Sequence, residues 1–118
     1  MNDRELLELA AKAAGIAYRY QPGSHKFLIE APCTMTDGTY YTYWNPLTDD
    51  GDALRLAVKL DISVFFRPNF VHAEIATSAH EGLVLQEPPT PDKNAATRRA
   101  IVRAAAQIGE HMEKQNGN

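Results

Sequence analysis

A chain of 118 residues with 12 lysines and arginines against 15 aspartates and glutamates carries a formal charge of −3, and its 44% hydrophobic and 23% charged residues are ordinary globular values. That length predicts one domain, 1–118, able to bury roughly two-thirds of the surface its unfolded form exposes, so a core needs neither a structural metal nor a disulfide. There is no apolar run near the roughly 18 residues of a bilayer span and no secretion signal in Met-Asn-Asp-Arg-Glu, and a single cysteine, Cys33, fits a reducing compartment, which together point to a cytoplasmic protein.

The first predicted element is a helix. Asn2 and Glu5 form a capping box, Leu6, Leu9, Ala10 and Ala13 recur at helical spacing with Leu7 and Ala14 widening the stripe, and Gly15 ends it. From Ile16 to Trp44 the pattern turns to β-branched and aromatic residues broken by turn chemistry, predicting short strands at about 16–20, 26–31 and 39–44. In the last of these, alternation puts Tyr41 and Tyr43 on one side and Tyr40, Thr42 and Trp44 on the other, and one side is expected to be core.

Pro46 disfavours helix at Asn45, so the next helix starts near residue 49 with Thr48 or Asp49 as its cap. Leu54, Ala57 and Val58 make one apolar face of it, Ala53, Leu56 and Leu60 an adjacent one, and Arg55 and Lys59 take the remaining arc. So wide an apolar arc predicts a central helix with Leu54 and Val58 deeply buried.

A three-strand meander follows. Ile62, Val64 and Phe66, then Val71, Ala73 and Ile75, then Leu83 and Leu85 fall on one apolar face, with turns at Pro68-Asn69 and 78–82, and the opposite face is mixed. Pro88-Pro89-Thr90-Pro91 ends the last strand because proline cannot donate to a ladder. Asp92 or Asn94 caps a long final helix with an inward stripe of Thr97, Ile101, Ala104, Ala105, Ile108 and Met112. Residues 115–118 are expected to fray, leaving an ordered core of about 3–113. The predicted class is α+β, an α-β-α sandwich with an antiparallel sheet, in the order helix, strands, helix, three-strand meander, helix.

Candidate chemistry is sparse. Cys33 and the histidines His25, His72, His80 and His111 include no pair at metal-ligand spacing, and the acids Asp49, Asp50 and Asp52 around Gly51 lack the alternating oxygens and distal glutamate of a calcium loop, so helix capping accounts for them. Ser24 and His25 are neighbours without a nucleophile-elbow pattern, and the isolated glycines form no phosphate cradle. The sequence thus predicts no catalytic residues, no metal and no cofactor.

Charge is distributed unevenly. Residues 92–118 hold Lys93, Arg98, Arg99, Arg103 and Lys114 against Asp92, Glu110 and Glu113, while the rest of the chain is acidic. Arg99 and Arg103, four apart, fall on the outward side of the helix, as a solvated face or as a stripe for an acidic protein or a phosphate. On that reading their removal leaves stability nearly unchanged. From residue 49 on, the order helix, three strands, helix also resembles the double-stranded RNA-binding domain in topology, with Arg98 and Arg99 near the start of the last helix, but the acidic net charge argues against duplex binding.

The stretch from Trp44-Asn45-Pro46 through the acid-capped helix to Leu60, followed by the meander and by Ala95 to Ala105, resembles the small bacteriophage and prophage proteins of the phage ABA sandwich domain. Trp-Asn-Pro is its most specific part, and the resemblance covers about the last two-thirds of the chain. It implies an α-β-α sandwich and a phage origin, and it brings no catalytic residues.

The expectation is a non-enzymatic phage or prophage accessory protein of the host bacterial cytoplasm that binds a host macromolecule, foremost a host protein, as an inhibitor of a defence or regulatory system would. The alternative is a binder of a nucleotide-like signal, with Tyr40, Tyr41, Tyr43 or Trp44 stacking on a base and Arg98, Arg99 or Arg103 pairing with phosphate; a minor RNA-binding module comes third. A homodimer is a further partner option and a membrane is not expected. Should the arginines prove idle, the site moves to the mixed sheet face around Phe65, His72 and Val84.

Overall fold

The computed structural model describes residues 1–31, 40–75, 83–88 and 92–117. Cys33, His80, the turn at 78–82 and prolines 89 and 91 lie outside them. The chain is α+β: α1 (Asp3–Ala14), β1 (Arg19–Gln21), β2 (Lys26–Ala31), β3 (Tyr40–Trp44), α2 (Asp50–Leu60), β4 (Ile62–Phe66), β5 (Val71–Ile75), β6 (Leu83–Glu87) and α3 (Lys93–Gly117). The strands form two antiparallel meanders, β1-β2-β3 and β4-β5-β6. The expected order of elements is the observed one, with the strands divided between two small sheets.

Local chemistry sets the helix ends where the sequence puts them. The Asn2 side chain accepts from the Glu5 N–H at 2.8 Å, and Gly15 closes α1 in the left-handed region at φ 70°. Asp49 accepts from the Asp52 N–H at 2.8 Å to start α2, and Asp92 accepts from the Asn94 and Ala95 N–H groups to start α3. α3 continues through Gly117, past the end expected near 113. β1 is shorter and later than expected, because the chain leaving Gly15 uses Ile16 to Tyr18 to reach the register that opposes Tyr20 to Phe27.

The core is organised on α3, which corrects the central place expected for α2. Ala100, Val102, Ala104 and Ala105 are fully buried, and Ile101, Ala106 and Ile108 are buried beside them, so the middle of α3 is covered nearly all round. α1 and α2 pack on it, and the β4-β5-β6 sheet covers another side. α1 runs along α3 in the same direction: Arg99 pairs with Asp3 at 3.2 Å, Gly109 abuts Leu9, and Lys12 pairs with Glu113 at 3.4 Å.

α2 instead has one buried face, Ala53, Leu56 and Ala57, and leaves Leu54 and Val58 64% and 68% exposed. The expectation of deep burial for those two fails because apolar periodicity shows which face could be covered, not whether a partner element is there to cover it. In the second sheet, Ile62, Val71, Ala73 and Ile75 are buried on the α3 side as expected, but Phe66, on the same face, is half-exposed at the sheet corner.

Candidate functional site

The β1-β2-β3 sheet has two chemically different faces, set by its register. Tyr20, Phe27 and Trp44 oppose one another across the three strands and form the inner row, with ring centroids 5.5 Å and 6.2 Å apart. Trp44 is only 4% exposed, so it is a core residue and cannot stack on a bound base, which leaves Tyr40, Tyr41 and Tyr43 of the four rings named for that role. The outer row is Arg19, Leu28 and Tyr43, flanked by Lys26 on one side and by Glu30 and Tyr41 on the other.

On that outer face each tyrosine carries a cation. The Arg19 guanidinium lies 5.0 Å from the Tyr41 ring centroid and the Lys26 ammonium 4.3 Å from that of Tyr43. Tyr41 and Tyr43 are 43% and 56% exposed. The alternation of Thr39 to Trp44 made this division visible in the sequence; the cations on neighbouring strands were missed because only the register brings them to the rings.

Between the inner side of this sheet, α2 and the end of α1 runs an open groove of about 930 Å³, with Tyr43, Trp44, Asn45 and Thr48 among its lining residues. Its cations Lys26, Arg55 and Lys59 are matched by Glu30, Asp49 and Asp52. Arg55 is held by Asp52 at 2.8 Å, and the other oxygen of the buried Asp52 accepts from the Asn45 N–H at 2.9 Å. The Trp-Asn-Pro segment and the acids after it thus lock β3 to α2, and among the described residues the groove has no surplus positive charge for a phosphate.

The three arginines of α3 are not a free stripe, which corrects the outward solvated face expected for them. Arg98 donates to the Leu47 carbonyl at 2.8 Å and to Asp50 at 2.6 Å. Arg99 pairs with Asp3 and, at 3.4 Å, with Glu87, and Arg103 pairs with the other oxygen of Glu87. Glu87, whose side chain is 12% exposed, thereby separates two like charges one helical turn apart. Arg98, the pair Arg99 and Arg103, and the pair Tyr43 and Trp44 line three different grooves, and Tyr40 and Tyr41 line none of the three.

A second groove of about 910 Å³ lies between α2, β4 and the start of α3, lined by Leu54, Ala57, Val58, Val64, Phe66 and Ile101 among others. On the mixed face of the second sheet, half-buried His72 lies between Phe65 and Phe70, its Nε2 3.5 Å from Glu74 but without hydrogen-bond geometry. The Val84 side chain, named with this face, lies outside the described residues.

Catalytic geometry is not assembled at the neighbours Ser24 and His25: Ser24 donates to Gln21, and the His25 Nδ1 meets the Tyr20 hydroxyl at 2.9 Å. Among the described residues no three His, Cys, Asp or Glu side chains cluster as metal ligands, and no helix is long and apolar enough to cross a membrane. In comparison with known proteins, the chain matches no family model, no curated protein and no solved structure.

Proposed function

We propose that this is a non-enzymatic binding protein that engages a host protein, in the manner of the phage and prophage accessory proteins it resembles, and that it does so through the outer face of the β1-β2-β3 sheet. The observation that carries this reading is the exposed pair of cation-bearing rings, Arg19 with Tyr41 and Lys26 with Tyr43. Tyrosine and arginine dominate the energetic centres of protein interfaces, since a rigid ring with a polar end gives large contact area at low entropic cost. A cation already on each ring favours an acid-bearing protein surface over a stacked base.

The test is quantitative capture from host lysate with the wild-type protein and with Tyr41→Ala/Tyr43→Ala as baits, read by mass spectrometry for proteins and small molecules. The double variant should remain folded, losing about 1–3 kcal/mol with the two ring–cation contacts and the strand propensity of tyrosine. A host protein retained by wild type should fall by roughly thirtyfold or more with the variant, as for loss of an interface centre of about 2 kcal/mol. A captured set identical for the two baits, or a small molecule alone, would refute the reading.

A further inference from the structure

The strand β4, Ile62-Ser63-Val64-Phe65-Phe66, is an edge strand of the β4-β5-β6 sheet, and among the described residues nothing pairs with its other side. Edge strands are ordinarily guarded by a charge, a proline or a bulge, because their unpaired N–H and C=O groups template further pairing. β4 has no charge and no proline within its five residues, Arg67 and Pro68 coming only after it, whereas the opposite edge, β6, carries Glu87 within the strand. Exposed apolar surface is concentrated at the same corner. Apart from Met1 and tyrosines, the exposed large hydrophobic side chains among the described residues are Leu54, Val58, Phe65 and Phe66.

We infer that a second copy of this chain closes the groove between α2 and β4, the two β4 strands pairing antiparallel about a two-fold axis at Val64. A two-fold interface must be complementary to itself, and this strand is. In that register Ile62 opposes the second copy's Phe66 and Val64 opposes its own counterpart, giving an apolar row on the groove side, while Ser63 opposes Phe65 on the other. One residue further out, Asp61 meets the second copy's Arg67 at each end. Neither Asp61 nor Arg67 has an ion-pair partner among the described residues, the Arg67 guanidinium lying 5.7 Å from the Phe65 ring centroid, whereas Asp50 and Arg98 on the same rim are already paired with each other. Charge therefore favours the register that the apolar row also selects. Leu54 and Val58 of the two copies then meet above the joined strands, and two three-stranded sheets become one of six.

This surface shares no residue with the Tyr41 and Tyr43 face, and it is tested separately by sedimentation of the full chain across a wide concentration range. Wild type is expected at twice the 13.1 kDa chain mass. Leu54→Glu/Val58→Glu, at two exposed positions, should be monomeric with an unchanged circular dichroism spectrum. Arg67→Glu should weaken association roughly tenfold by setting like charges opposite Asp61, and Asp61→Asn/Arg67→Glu should relieve part of that loss, asparagine being tolerated at the left-handed φ of 55° that residue 61 adopts. A wild-type monomer overturns the inference, including one that accepts an unrelated apolar peptide in the groove. So does a dimer indifferent to Leu54→Glu/Val58→Glu, and a dimer that ignores Arg67→Glu overturns the register.

Discussion

Gly109 of α3 lies against the main chain of Leu9 in α1: a Cβ at position 109 would stand 2.2 Å from the Leu9 carbonyl oxygen and 2.9 Å from its carbon. Backbone cannot turn aside as a side chain can. Gly109→Ala should therefore separate the two helices or displace one, destabilising the protein by about 1–3 kcal/mol or more despite the better helix propensity of alanine. Gly23→Ala, where a Cβ meets nothing within 4 Å, is the control and should be nearly neutral in the same denaturant melts.

A second expectation concerns the carboxylate between the α3 arginines. With Glu87 nearly buried and bound by both Arg99 and Arg103, Arg99→Ala/Arg103→Ala strands an anion, and stability should fall by about 1–3 kcal/mol, less than for a fully buried pair because the guanidiniums remain partly in water. This replaces the near-neutral outcome expected from the sequence. Adding Glu87→Gln to the double variant should recover part of the loss, and the recovery measures the coupling.

Helix α2 supplies a paired comparison. Leu56, 2% exposed, should cost about 2–5 kcal/mol when changed to alanine, whereas Leu54→Ala should stay within about 0.5 kcal/mol in the monomer at low protein concentration. Equal losses at the two positions would contradict the observed orientation of the helix.

Tyr18 gives a pH dependence with a definite sign. Burial of its hydroxyl, with the Glu8 carboxylate beside it, raises its pKa above the ordinary 10.0, Arg4 offsetting only part. The folded state thus favours the neutral phenol, and the associated stability is fully present below about pH 10 and lost as pH rises through the folded value. Ultraviolet titration should show one tyrosine ionising late, absent in Tyr18→Phe, and the variant should lose less stability than wild type at alkaline pH.

The features legible in the sequence are those settled within a few residues. Asn2, Gly15, Asp49 and Asp92 act on backbone groups two to four positions away, and the alternation at Tyr40 to Trp44 follows from the strand itself. What misled was everything that depends on a distant partner. Leu54 and Val58 have the spacing of core residues and, among the described residues, no element over them, and Arg99 and Arg103 have the spacing of a free stripe but meet Glu87 from β6. The candidate site was half visible for the same reason: Tyr41 and Tyr43 were identifiable, while Arg19 and Lys26 reach them only through strand pairing. The central place of α3 had a signal in its small residues on all sides, Ala100, Ala104, Ala105 and Ala106, which permit close approach from several directions at once.

The parallel contact of α1 with α3 joins the first helix of the chain to the last. During synthesis the apolar face of α1, with Leu6 and Leu7, emerges from the ribosome long before Gly109 and Ile108 exist to cover it. Closing a loop that spans nearly the whole chain is entropically expensive and is repaid only once α3 has been made. Folding should thus end in a late, cooperative docking step, and until then the nascent protein presents a sticky helix to whatever chaperone meets it first.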